Sequence, residues 1–485
     1  MLPALESARR PALAAGAALL VLVLAAPAQG PGAQGPGAQS PDVQGPDGLA
    51  ATPAPAGQPA LLPDSVLHLA TFDHAWTRIL ESYYDPAMGG VDWDEARRTL
   101  RPAAGAATST EELRGVIRTL IGSLEESHFV LIPGEARTPE GDPAEREDPG
   151  EEGDPGLELR WIGGEALVVR VSDAAPAHAA GVRPGFVVRA IDGRPIEELL
   201  DGLLDGAGAP EPDTPLTLAW IHGVLHRALA GARHDSLALR VLDAEGEERE
   251  LEFLRGAPPG EVVRFGNLPP VRLEVESREV GEVGVIRFTG WFPSAAPRIA
   301  EAVDRFRGHR GIVLDLRGNP GGVGGLVMGI GGHFLDERIE LGTMRTRDAE
   351  VRFIANPQRV GPEGGRVVPF AGPLAILVDP MTGSTSEIFA AGMQAIERAR
   401  VFGEPSAGQA LPALITELPN GDRLMHAIAD FTGPDGTRIE GRGVIPDEAI
   451  VPERGALLAG QDPVLDGALR WISGSPSSHD MEQER

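Results

Sequence analysis

Between residues 283 and 398 apolar strand patterns alternate with helical ones, and this alternation restricts the fold more than any other feature of the chain. Val283–Phe288 reads as a strand, 297–306 as a helix, and Ile312-Val313-Leu314-Asp315-Leu316 as a strand buried on both faces. A glycine-rich turn and a helix follow, then the strand Leu374–Val378, another turn, and a helix over about 386–398. Short, nearly continuous Val/Ile/Leu runs separated by helices predict parallel strands covered on both sides, hence an α/β core over 270–455. Open α/β sheets place their sites where strands end. Two turns stand there: Asp315-Leu316-Arg317-Gly318-Asn319-Pro320-Gly321-Gly322, and Asp379-Pro380-Met381-Thr382-Gly383-Ser384-Thr385-Ser386-Glu387.

The rest of the composition narrows the chemistry. At 485 residues the chain needs several domains, so a multidomain α/β protein is expected. A net charge of −28 argues against nucleic-acid binding and against adhesion to anionic lipid. Cysteine is absent, which excludes disulfides, thiolate nucleophiles and zinc–thiolate sites. Lysine is absent too: all 43 basic residues are arginine, so no catalytic step can use a lysine amine. No metal-ligand spacing or cofactor fingerprint is present, and neither is expected.

Upstream of the core the chain changes character several times. Arg9-Arg10, the apolar run 12–25 and Ala26-Pro27-Ala28 have the form of an export signal over 1–28. The run is shorter than the ~20 residues of a spanning helix, which favours a cleaved signal over a retained anchor. A periplasmic or secreted protein without a stable membrane span follows. Residues 29–60 repeat Gln-Gly-Pro and read as a flexible tether. Residues 61–135 form a helical domain: Leu67, Phe72, Trp76, Ile79 and Leu80 recur at helical steps, as do Leu113, Val116, Ile117, Leu120 and Leu124 after a cap at Ser109/Thr110. This helical pattern ends at Ser127-His128. Residues 136–156 are an acidic, Pro/Gly-rich linker, and 456–485 a final helix and polar tail.

Over 157–256 short strands, the phrase Pro176-Ala177-His178-Ala179-Ala180-Gly181-Val182-Arg183-Pro184-Gly185 and the Ile191-Asp192-Gly193 turn resemble a PDZ domain. Such a domain adds an extended peptide to a sheet edge and receives its terminal carboxylate on backbone amides. The resemblance puts substrate binding at Gly156, Leu157 and Leu159, with a groove-lining helix near 216–229. Phe186 stands where the family has Asp.

Taken alone, the second turn could be only a helix cap, with Ser384 or Ser386 accepting free N–H groups. The same geometry sets a hydroxyl where a helix N-terminus favours developing negative charge. Asp-Leu-Arg-Gly-Asn-x-Gly-Gly, Thr-x-Ser-x-Ser-Glu-Ile and the turn Gly403-Glu404-Pro405-Ser406-Ala407-Gly408 together resemble the C-terminal processing (tail-specific) serine peptidases. That resemblance implies a crotonase/ClpP-like α/β peptidase core and polypeptide substrates cut near their C-termini. It also implies Ser384 as nucleophile, Ser386 as the helix cap, and an oxyanion hole of Thr385 N–H with Gly321 or Gly322. The best-known branch has a lysine where this chain has Gln409, and serine without a base is inert. The tricorn-protease-like branch instead uses a histidine in a Ser-His pair and a glutamate shortly before Gly-x-x-Pro-Asp. Ser127-His128 and Glu440, ahead of Gly443-Val444-Ile445-Pro446-Asp447, match it. The match implies His128 as general base, Glu440 as distal carboxylate and Ser127 as an assisting hydroxyl. His426 is the rival base, and an inactive peptide- or apolar-ligand-binding protein on the same scaffold is the alternative reading.

Overall fold

The computed structural model describes residues 64–134, 152–201, 214–266, 268 and 270–475. The export signal, the tether, most of the acidic linker and the polar tail after 475 lie outside the described residues.

Helices Asp64–Ser82, Trp93–Ala106 and Thr110–Gly122 bury Phe72, Trp76, Ile79, Leu113, Ile117 and Leu120 against one another. These are the positions that helical spacing brings to one face. Ser109 caps the third helix by accepting from Glu112 N–H. The region does not close at His128. A strand, Val130–Ile132, pairs antiparallel with Arg423–Ala427 far along the chain, and Leu418 and Leu424 complete the helical core. Three residues are too few to show a strand period, so the sequence reading missed it. Beside this strand, Arg114 reaches Asp422 through two bonds of 3.0 and 2.7 Å, and Asp422 also accepts from Gly134 N–H at 2.6 Å.

The second unit is an antiparallel sheet of Leu157–Ile162, Glu165–Val171, Val187–Ile191, Ser236–Leu242 and Glu248–Leu254, in that spatial order. Helix Pro215–Leu229 lies along the first strand, and Ile221, Leu225 and Leu229 pack onto the sheet.

The core is a six-stranded sheet ordered Val275–Val280, Val283–Phe288, Gly311–Asp315, Leu374–Val378, Arg400–Gly403, Glu448–Ala449. The first pair is antiparallel and the other four pairs are parallel. Side chains alternate strictly between two apolar layers. Ile286, Ile312, Leu314 and Ile376 face one layer with helices Ala295–Arg305 and Thr385–Ala395. Val285, Val313, Ala375 and Leu377 face the other, closed by helix Pro463–Gly474. Burial on both sides explains why these strands read as continuous apolar runs. It also leaves the carboxyl ends of the parallel strands as the place where polar turns gather.

Removing one partner of a buried ion pair leaves an uncompensated charge. Arg114→Met should therefore lower the unfolding free energy by about 3–5 kcal/mol, because Asp422 keeps its charge without its cation. Arg98→Met, which removes an exposed pair with Glu95, should cost less than ~1 kcal/mol. Urea denaturation of both variants measures the contrast, and equal losses would mean that Arg114 does not anchor the helical region.

Candidate active site

Ser384 stands between strand Leu374–Val378 and helix Thr385–Ala395 with φ 54° and ψ −119°, a conformation that costs a non-glycine residue on the order of 1–3 kcal/mol. It is fully buried, and its Oγ has no hydrogen-bond partner among the described residues. The backbone is held there by Glu387, one turn into the helix. That carboxylate accepts from Ser384 N–H at 2.9 Å, Gly408 N–H at 2.6 Å, Gln409 N–H at 2.9 Å and Ser406 Oγ–H at 2.6 Å. Burial pushes the Glu387 carboxyl up to about 7 against the pull of those four donors. Ser386, expected as the helix cap, instead accepts the indole N–H of Trp291 at 2.8 Å; the N-cap is Ser384, whose N–H donates to Glu387 in a capping box.

The glycine turn meets this serine directly. A Cβ on Gly321 would lie 2.7 Å from Ser384 Cβ, and one on Gly322 would lie 2.4 Å from Trp291 O, so neither position admits a side chain. Gly321 N–H donates to Asn319 Oδ1 at 3.0 Å, while Asn319 Nδ2 donates to the Phe288 carbonyl at 2.8 Å. Of the two glycines named as oxyanion donors, Gly321 is thus already engaged. The N–H groups of Gly322 and Thr385 have no acceptor among the described residues. The two turns are tied by Gly383 N–H to Asn319 O at 3.1 Å and Thr385 Oγ1 to Gly322 O at 3.0 Å.

His128 is also buried and also has positive φ, 60°. Its Nδ1 lies 2.7 Å from Ser127 Oγ, and Ser127 Oγ lies 2.9 Å from Glu440 Oε2. Glu440 accepts Ser127 N–H at 2.9 Å and Ala410 N–H at 2.7 Å as well. Ser127 has a single proton; directed at the carboxylate, it leaves Oγ to accept from Nδ1–H, which puts the imidazole lone pair on Nε2. Among the described residues, His128 Nε2 is buried without a partner, like Ser384 Oγ. Burial lowers the imidazole to about 3, so it is neutral, the form able to accept a proton. Ser384 connects to this group through its neighbours: Ser384 N–H donates to Gln409 O at 2.9 Å, and the next residue, Ala410, is bonded to Glu440.

His426 does not share this arrangement. Its Nδ1 is 3.0 Å from Ser82 Oγ and its Nε2 3.1 Å from Thr416 Oγ1, so both ring nitrogens are engaged between a helix and a strand. Gly156 takes φ +73° against Ala175. The Leu157 and Leu159 side chains point into the core of their own sheet, which limits them to backbone contacts with any ligand. A cavity of about 500 Å³ runs from Gly156 and Leu157 past Gly223 to Gly318 and Met381. The sequence reading gave no role to Glu387, Trp291 and Asn319. Glu387 had a signal, since an acid three residues after the serine is the capping spacing; Trp291 lies too far along the chain to have one.

Residues 282–450 match the model of peptidase family S41, and residues 69–122 match that of the tricorn protease C1 domain. A carboxyl-terminal-processing protease of Synechocystis sp. is 25% identical over 387 residues, spanning 78% of this chain and 79% of that protein. The chloroplastic carboxyl-terminal-processing peptidase 2 of Arabidopsis thaliana is 27% identical over 388 residues, spanning 78% and 68%. The solved structure of a photosystem II D1 C-terminal processing protease has the same fold, with a TM-score of 0.52 at 19% identity over 84% of this chain and 98% of that one.

Because the folded pKa of Glu387 lies above its ordinary 4.5, the native state holds the extra proton between about 4.5 and about 7. Its contribution to stability is therefore lost as pH rises through that window. Glu387→Gln imitates the protonated acid. Its cost relative to wild type should shrink between about pH 5 and about pH 8, by on the order of 3 kcal/mol, in paired urea titrations. A cost independent of pH would mean that the carboxyl is already ionised at the lower value.

Proposed function

The chain is a serine-type peptidase with a family S41 domain over residues 282–450, and on that premise we propose that Ser384 is its nucleophile and His128 its general base. The observation that carries this reading is the pair of buried, unpartnered atoms, Ser384 Oγ and His128 Nε2, with an ordered relay behind the imidazole. Ser384 Oγ attacks a peptide carbonyl while His128 Nε2 takes the hydroxyl proton. The imidazolium is held at Nδ1–H by Ser127, whose own proton is directed at Glu440. Gly322 N–H and Thr385 N–H receive the oxyanion, and losing one such donor costs roughly 3–4 kcal/mol of barrier. His128 returns the proton to the leaving amine, the C–N bond breaks, and water activated by the same imidazole releases the acyl group. Gln409 takes no part through its side chain; its backbone braces the nucleophile turn.

The substrates we propose are polypeptides cut near their C-termini, captured by a PDZ-like unit over 157–256. The cavity joining Gly156 and Leu157 to the catalytic turns supports capture beside the point of cleavage. Export to the periplasm or beyond is proposed from the signal-like residues 1–28. Among the described residues no helix is long and apolar enough to cross a membrane. The rival reading of an inactive binding protein gives no reason for a relay of three side chains ending on a buried imidazole.

Fluorophosphonate labelling of the mature protein separates these readings. Wild type should label, Ser384→Ala should not, and His128→Ala should label roughly 10⁴-fold more slowly or worse. Folded wild-type protein that stays unlabelled would favour the binding-protein reading.

A further inference from the structure

Asp379 ends strand Leu374–Val378 five residues before the nucleophile and is 5% exposed. Its Oδ1 accepts from Gly318 N–H at 2.9 Å and Met381 N–H at 3.1 Å, while the Thr382 hydroxyl lies 3.2 Å from Oδ1 and donates to the Leu316 carbonyl at 2.9 Å. One carboxylate oxygen thus gathers both turns: the glycine turn through Gly318, and the serine turn through Met381. The other oxygen, Oδ2, receives Arg160 Nε and Nη2, both at 2.8 Å. Arg160 is 6% exposed and belongs not to the peptidase core but to the edge strand Leu157–Ile162 of the second unit. Its remaining Nη1 donates to the Leu159 carbonyl at 3.0 Å, on the same strand.

We propose that Arg160 is a positioning residue for the reaction, lent by the neighbouring unit to hold Asp379 as an acceptor and thereby to set Gly322 against Ser384; this rests on Ser384 being the nucleophile. Removing the guanidinium leaves Oδ2 of a buried carboxylate without its charged partner, and that cost favours turning the group away from its present bonds. Asp379 would then loosen its hold on Gly318 and Met381, and the two turns would lose their common point. Glu404 lies close enough to matter: burial and the charge of Asp379 push its carboxyl up to about 7, and Arg160 opposes them. The same strand that would add a peptide at its edge therefore carries the cation on which the oxyanion turn depends.

The second unit touches the core in other ways, which supplies a control. Arg170 bridges Glu158 to Glu276 of the core at 3.0 and 2.7 Å without reaching Asp379. Purified full-length protein is reacted with a small fluorophosphonate, which needs no peptide capture, and the labelling rate constant is read for Arg160→Met, Arg160→Lys, Arg170→Met, Asp379→Asn and the double variant Arg160→Met/Asp379→Asn, with thermal melts beside them. Arg160→Met should label about 10–100-fold more slowly than wild type and Arg160→Lys at a rate in between, because lysine restores the charge but not the two-pronged bond. Arg170→Met should match wild type. In the Asp379→Asn background the arginine should be worth nothing further, and this neutral pair keeps the test available if Arg160→Met alone does not fold. A wild-type rate for folded Arg160→Met or for Arg160→Lys, an equal loss in Arg170→Met, or a full additional loss in the double variant would each overturn the positioning role. Wild-type protein that fails to label at all would overturn the nucleophile assignment instead.

Discussion

The buried carboxylate of Glu387 is the constraint on which the geometry around Ser384 rests. It sits one helical turn beyond Ser384 and holds three backbone N–H groups and one hydroxyl drawn from two separate turns. Each of those donors would be costly to leave unpaired in a dry interior. The turn 406–409 is therefore fixed relative to Ser384, and with it Ala410, which orients Glu440. From Glu440 the order passes to Ser127 and then to His128. A histidine from far upstream in the chain is thus positioned by bonds that begin at the first turn of the helix that Ser384 opens.

Charge is used structurally throughout this protein, and arginine is its only long cation. Arg160 and Arg287 reach from opposite units towards Asp379 and Glu158, and Arg317 joins Asp315 to Asp462. Fork-shaped guanidinium groups suit such sites because they bind a carboxylate through two parallel bonds and stay charged when buried. An ammonium in the same places would make fewer directed bonds and would tend to lose its proton. Buried pairs of this kind add little net stability. They do penalise any arrangement that separates the partners, which suits a site assembled from three parts of the chain.

The α/β core was legible because parallel strands covered on both faces leave an unbroken apolar trace, and Ile312 to Leu316 and Leu374 to Val378 are such traces. The helical region was legible from the spacing of Phe72, Trp76, Ile79, Leu113 and Ile117. Ser384, His128, Ser127 and Glu440 could be named only by resemblance to known motifs; nothing in local pattern joins a histidine at 128 to a glutamate at 440. What could not be read was whatever depends on distant backbone meeting backbone. Strand Val130–Ile132 finds its partner at Arg423–Ala427, and Trp291 spends its indole on Ser386. The engagement of Gly321 N–H by Asn319 was hidden for a different reason, since composition does not say which of two adjacent amides points away.

The positive φ of Ser384 has a consequence for how such a chain can change over time. Glycine would occupy that backbone conformation without strain, whereas a β-branched residue would fit it poorly. Threonine, the other hydroxyl that attacks carbonyls in enzymes, is thereby a poor replacement, and the easiest escape from the strain removes the hydroxyl altogether. Thermodynamic drift at this position favours glycine over threonine. A descendant with glycine there would hold its shape more firmly than its parent while presenting no hydroxyl at this turn.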